Sequence, residues 1–136
     1  PPDVKFFGEV YVEENSIENI EFIKESFLDV YLSLPKFDVI LALAVMGHIK
    51  NCNSWGIETI AKKLYDLTND NGILFLKCMS VEEENLPDND MPHKLSKQEI
   101  TDSFNADFDI QKIEDSEFHG ALEFYPKALF TVLKKK

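Results

Sequence analysis

The chain has 136 residues and a net charge of −11, with 25 acidic against 14 basic residues. That length makes a single domain, residues 1–136, the expectation, and 44% hydrophobic residues exclude a disordered composition. The acidic surplus disfavours a nucleic-acid partner, whose phosphates need neutralising cations, and no apolar run reaches the ~18 residues of a membrane span.

The first residues, Pro1-Pro2-Asp3-Val4-Lys5, have no signal-peptide pattern. Cys52 and Cys78 are far apart and form no C-x-x-C pair, and no Asn-x-Ser/Thr site is present. Two free thiols in a reducing compartment, with a cytoplasmic location, follow as the expectation.

Val4 to Val12 alternates apolar and polar residues with Phe6, Gly8, Val10 and Val12 on one face, which predicts a strand ending at the polar turn Glu13-Glu14-Asn15-Ser16. Ile20 to Lys24 predicts a second short strand, closed by Glu25-Ser26. Phe27 to Leu34 has no clean period and predicts a short helix, and Pro35 disfavours helix at Leu34. Lys36 to Ile49 begins with a buried strand over Phe37–Leu43. Asn53-Ser54 supplies an N-cap for an amphipathic helix with Trp55, Ile57, Ile60, Ala61, Leu64, Tyr65 and Leu67 on its apolar stripe. A turn at Asn69-Asp70-Asn71-Gly72 leads into the strand Ile73–Cys78. Two apolar strands joined by a helix predict a parallel pair, whose ligands sit at the carboxyl ends, near Leu43–His48 and Lys77–Ser80.

Val81 to Met91 is an acidic loop, at that length either a lid or mobile, and Glu82–Glu84 is expected to be solvated. Ser96-Lys97-Gln98-Glu99 is a capping box opening a helix to about Asn105. Phe108–Glu114 and Ala128–Lys134 predict two closing strands. In the connection between them, Phe118-His119 and Phe124-Tyr125 either wall a substrate pocket or simply pack. His93 and His119 lack ligand spacing with any Cys or acid, so no metal site is expected.

This ordered set resembles the carboxyl-terminal two-thirds of a class I S-adenosylmethionine-dependent methyltransferase, over roughly residues 6 to 136. Phe37-Asp38-Val39-Ile40 with Gly47-His48-Ile49 resembles the family's fourth strand and the loop after it, and Asn71-Gly72-Ile73-Leu74-Phe75-Leu76 the fifth. Phe108-Asp109-Ile110 and Ala128 to Lys134 resemble the sixth strand and the antiparallel seventh. The resemblance implies a three-layer, mostly parallel Rossmann-like α/β sheet with an antiparallel last strand, truncated on its N-terminal side. Gly8, Gly47, Gly56, Gly72 and Gly120 form no G-x-G, so the family's glycine-rich cofactor loop has no counterpart.

The resemblance further implies S-adenosylmethionine as cofactor and a small-molecule methyl acceptor. Glu13 or Glu14 matches the acid that holds the ribose hydroxyls, or is a solvated turn. Glu25-Ser26 matches the pair that reads the adenine edge, or Glu25 is a surface acid. Leu43 and Ala44, opening the stretch to Met46, flank cofactor and substrate. His48 is a general base or substrate contact, or a helix-capping or packing residue. The alternative function is a non-catalytic binding or interaction domain that lost the cofactor loop. With the family's central first strand missing, the edge at Val39–Leu43 needs a cover: Val4–Val12, a second copy of the chain, or an N-terminal segment outside this sequence.

Overall fold

The structure, a computed structural model, describes residues 7–52, 55–85, 93–119 and 125–136. The chain divides into two compact units, Pro1–Leu34 and Pro35–Lys136.

In the first unit, helix α1 spans Phe7–Glu14. Its ladder continues with Asn15 N–H donating to the Tyr11 carbonyl at 3.0 Å and Ile17 N–H to that of Val12 at 3.0 Å, with Ser16 left-handed at φ 53°. The expected strand Val4–Val12 is thus corrected: its described part is helical, and residues 4–6 lie outside the described residues. An alternating stretch becomes a strand only where a neighbour completes its ladder, and among the described residues it has none. Ile20–Lys24 is irregular rather than a strand. It folds back on α1, with Lys24 Nζ 2.8 Å from the Glu9 carboxylate. The Phe22 ring lies so near Gly8 that a β-carbon there would sit 3.1 Å from it. Ser26 then caps α2, Phe27–Val30, its Oγ accepting the Leu28 N–H at 3.3 Å, and one 3-10 turn, Tyr31–Ser33, ends the unit.

The second unit is a four-stranded sheet of order β1-β2-β4-β3: β1 Phe37–Leu43, β2 Thr68–Met79, β3 Phe108–Glu117 and β4 Lys127–Lys135. β1 and β2 run parallel, as their apolar runs and the intervening helix predicted, in the register Val39↔Ile73, Leu41↔Phe75, Leu43↔Lys77. β4 enters antiparallel between β2 and β3. The sheet is therefore mixed: β1, β2 and β3 share one direction and only the last strand, β4, runs against them, as the resemblance implied. A short return from β3 to β4 permits antiparallel pairing, whereas each parallel pair needs a crossover of a dozen or more residues.

Helices α3 (Met46–Cys52), α4 (Ile57–Asp66) and α5 (Lys97–Phe104) accompany the sheet. α3 touches α4 and β2, α4 touches α5 and β2, and α5 touches β3. Gly56, not Asn53 or Ser54, is the N-cap of α4, and residues 53 and 54 lie outside the described residues. α4 buries Ile57, Ile60, Ala61 and Leu64, one stripe at helical spacing. They belong to a core with Leu74, Leu76 and Cys78 of β2, Leu129 and Leu133 of β4, and Ile100 and Phe104 of α5. Full burial of each large member is worth about 1.5–3 kcal/mol. Phe108 meets Tyr65 edge-on at 5.8 Å and Phe104 at 5.9 Å. The opposite face of β2, Ile73, Phe75 and Lys77, is only half-buried. Within this unit α4 and α5 thus pack on the buried face of the sheet.

The capping box forms as the sequence predicts: Ser96 Oγ accepts the Glu99 N–H at 3.1 Å, and the Glu99 carboxylate accepts the Ser96 N–H at 2.9 Å. Lys135, within the basic carboxyl-terminal triplet, is buried. Its ammonium donates to the Thr68 carbonyl at 2.7 Å and the Tyr65 carbonyl at 3.4 Å, and lies 4.2 Å from the Tyr65 ring centre. A cation there satisfies the Tyr65 carbonyl in the last turn of α4 and the Thr68 carbonyl that opens β2. Among the described residues no helix is long and apolar enough to cross a membrane.

The expected turn at Asn69–Gly72 is a bulge inside β2. The register jumps from Phe37↔Thr68 to Val39↔Ile73, and Asn71 is left-handed at φ 61°. A β-carbon on Gly72 would lie 2.6 Å from Thr68 Cγ2 and 2.7 Å from the Asn69 carbonyl oxygen. Gly72→Ala should therefore cost about 1–3 kcal/mol through overpacking. Urea denaturation checks this; a variant as stable as the parent would contradict the close approach.

Candidate functional site at the carboxyl ends of β1 and β2

The parallel pair delivers two chain ends to one place. β1 finishes at Leu43, and the next residue, Ala44, is left-handed at φ 61° while its N–H donates to the Lys77 carbonyl at 2.7 Å. A non-glycine residue in that conformation costs about 1–2 kcal/mol, and the ladder contact with β2 holds it there. The kink sends the chain directly into α3, so the segment expected as a loop at Gly47-His48-Ile49 is helical. Met46 and Gly47 turn inward, while His48 is exposed on the first turn of α3.

From β2 come Cys78, Met79 and Ser80. Cys78 is buried and free. Burial, and secondarily the charge of Glu99, push its thiol up to about 12, so it is an inert core group rather than a nucleophile. Ser80 bridges to Leu95 in parallel, and its N–H donates to the Lys127 carbonyl at 3.1 Å.

Three residues on, Glu83 is 2% exposed, against the expectation of a solvated Glu82–Glu84 run. Its carboxylate accepts the Lys127 N–H at 2.6 Å and the Asn85 N–H at 2.7 Å, and its carbonyl accepts from Lys94 Nζ at 2.6 Å. Glu83 therefore ties the loop after β2 to the start of β4. Nothing in the acid-rich sequence distinguishes it from its neighbours, because the selection is made by Lys127, 44 positions away.

Among the described residues, concavities open at this end. A notch of about 30 Å³ is lined by Ala44, Gly47, Cys78, Met79 and Phe118. A cleft of about 490 Å³ lies among Ser80, Glu82, Asp115, Glu117, His119 and Lys127. Of the aromatic pairs in the β3–β4 connection, Phe118 lines the notch under Lys77 Nζ, 5.0 Å from its ring centre. His119 lines the cleft and packs against Tyr125 at 4.2 Å; Phe124 lies outside the described residues. Lys97 pairs with Asp115 at 3.2 Å, and His119 Nε2 is 3.9 Å from Glu117.

Of the sequence-derived site residues, Leu43, Ala44 and His48 are gathered at the end of β1. Glu13 and Glu14 stand in the last turn of α1, exposed, and Glu25 and Ser26 are exposed before α2, all four in the first unit. The strand ends that suggested the ribose and adenine roles for these four are not formed. Among the described residues no group of three or more His, Cys, Asp or Glu is arranged to hold a metal ion.

No family model and no curated protein matches the chain. Solved structures do. TehB from Haemophilus influenzae matches with a TM-score of 0.68 at 18% identity, over 96% of this chain and 46% of that one. The N-methyltransferase NodS from Bradyrhizobium japonicum WM9 matches at 0.64 and 12% identity, over 94% and 66%. A SAM-dependent methyltransferase from Anabaena variabilis matches at 0.64 and 15%, over 94% and 63%. The chain spans about half to two-thirds of the length of these structures. At such identities the likeness is one of fold alone: the chain has the fold that these structures share.

The Glu83 staple carries a pH signature. Backbone N–H donors from Lys127 and Asn85 hold its carboxyl below the usual 4.5. A carboxyl whose folded-state pKa is depressed stabilises the fold above its unfolded pKa, and that contribution disappears as pH falls through the folded value. Glu83→Gln, which places an amide donor against a backbone donor, should lower the melting temperature near neutrality. The gap to the parent should narrow as pH drops to about 3. A gap that stays constant with pH would show that the charge of Glu83 plays no part.

Proposed function

We propose that the chain is an S-adenosylmethionine-dependent methyltransferase, or a fragment of one, acting on a small-molecule acceptor. The observation that carries this reading is the sheet order, with the antiparallel β4 set between β2 and β3 beside a parallel β1–β2 pair. The acidic surface supports a small acceptor over nucleic acid.

The donor set at the carboxyl ends of β1 and β2 meets part of what the cofactor needs. Ala44, Gly47, Met79 and Phe118 offer apolar walls suited to an adenosyl group and the carbon substituents of a sulfonium. The same residues offer no carboxylate for a ribose and no run of N–H donors for an amino-acid end, and the notch is far smaller than the whole molecule. The fit is therefore partial. His48, on the first turn of α3, is the proposed general base or acceptor contact.

A partial fit has a measurable consequence. Each missing charged hydrogen bond removes about 1.5–3 kcal/mol, so S-adenosylhomocysteine should bind only with a Kd of roughly 0.1–1 mM. 5′-Methylthioadenosine, which lacks the amino-acid end, should bind within a few-fold of it. Calorimetry of the chain with both compounds is the test. No heat from either would favour the second reading, a non-catalytic methyltransferase-like domain, which the missing glycine cradle supports. Where binding is seen, Glu13→Gln with Glu14→Gln weakens it if those acids hold the ribose. His48→Ala lowers turnover of an identified acceptor without changing cofactor affinity.

A further inference from the structure

The larger cleft, of about 490 Å³, takes no part in the reading above. Its volume lies in the range of small-molecule pockets, about 300–1,000 Å³. Its walls come from Ser80 and Glu82 after β2, from Asp115, Glu117 and His119 at and beyond the end of β3, and from Lys127 at the start of β4.

In a chain of net charge −11, this cleft carries both signs. Asp115 is neutralised by Lys97 at 3.2 Å, and Glu117 faces His119 Nε2 at 3.9 Å. The Glu82 carboxylate and the Lys127 ammonium are exposed and, among the described residues, make neither an ion pair nor a hydrogen bond. Lys127 stands directly opposite Glu117 in the β3–β4 register and still does not pair with it. Two opposite charges therefore line one cleft, further apart than an ion pair allows. One buried residue fixes both of their backbones. Ser80 is 3% exposed; its Oγ accepts the Glu82 N–H at 3.1 Å and its own N–H donates to the Lys127 carbonyl at 3.1 Å. The Ser80 hydroxyl proton has no acceptor among the described residues.

We propose that this cleft binds a small zwitterion of the amino-acid type. Its ammonium sits on Glu82, and its carboxylate sits on Lys127 and accepts from Ser80 Oγ. A simple cation would leave Lys127 unanswered, and a simple anion would leave Glu82 unanswered. A ligand of both signs makes a charge-assisted hydrogen bond at each end, and these are about twice as strong as neutral ones. The acids do not converge on a metal site: among the described residues no three His, Cys, Asp or Glu are arranged to hold an ion. His119, packed on Tyr125 at 4.2 Å, offers a ring to the ligand's side chain. This inference does not depend on the methyltransferase reading, and its test uses no cofactor.

The test is an amide chemical-shift titration of the full chain with L-phenylalanine. The controls are phenethylamine and 3-phenylpropionate, which each carry one of its two charges. L-Phenylalanine should shift Ser80, Glu82, His119 and Lys127, and should bind about tenfold or more tighter than either control, the loss expected for one charged hydrogen bond. Lys127→Met should bring L-phenylalanine down to the affinity of phenethylamine and leave phenethylamine unchanged. Glu82→Gln should bring it down to that of 3-phenylpropionate. The three-ligand comparison on the wild type remains decisive even if a variant folds poorly. No shifts at the cleft with about 10 mM L-phenylalanine, or equal binding of all three compounds, would overturn the proposal. So would an advantage of L-phenylalanine that survives both substitutions, which would place its charges on other groups.

Discussion

The parallel pairing of Phe37–Leu43 with Thr68–Met79 is the constraint on which the rest of the second unit depends. Two parallel strands cannot be joined by a tight turn, so the chain between them must cross over one face of the sheet. α4 makes that crossing with an apolar stripe matched to the buried side of β2. The need for a close approach at the start of β2 fixes Gly72 and the Asn71 bulge. At the far end it fixes Ala44, whose left-handed conformation is held by the Lys77 carbonyl. The same pairing brings the ends of β1 and β2 together, and the concave surface follows from it.

β4 completes the arrangement. Entering antiparallel beside β2, it makes β2 a central strand with partners on both sides. Its first residue, Lys127, supplies the N–H that draws in Glu83, and its end supplies Lys135 to the carbonyls of Tyr65 and Thr68 where α4 gives way to β2. One strand thus anchors the loop over the site at one end and the crossover helix at the other. An asymmetry is left behind: among the described residues of this unit, β1 stands at the edge of the sheet and presents an exposed apolar row.

Much of this was legible from residue spacing. The 57-60-61-64 stripe, the Ser96–Glu99 capping box and the apolar runs at 37–43 and 73–78 are decided by near neighbours, and each formed where the pattern placed it. The first unit was not legible in this way. Phe6, Gly8, Val10 and Val12 alternate as a strand does, yet 7–14 is helical, because a period of two over nine residues specifies a strand only with a partner to pair with. Glu13, Glu14, Glu25 and Ser26 took their suggested roles from those strand ends and so depended on the same assumption. Leu43, Ala44 and His48 followed from the parallel pair and stand together. Glu83 was hidden for the opposite reason: its environment comes from a strand far along the chain, and its sequence neighbours are identical acids.

If the parallel strands position a ligand, small molecules bind where those strands end. The most direct measurement is a backbone amide chemical-shift titration with 5′-methylthioadenosine. The expected shifts are concentrated at Ala44, Gly47, His48, Met79 and Phe118. Shifts confined to the α4–α5 face or to the Thr68–Gly72 end of β2, or no shifts at millimolar ligand, would contradict binding at the strand ends.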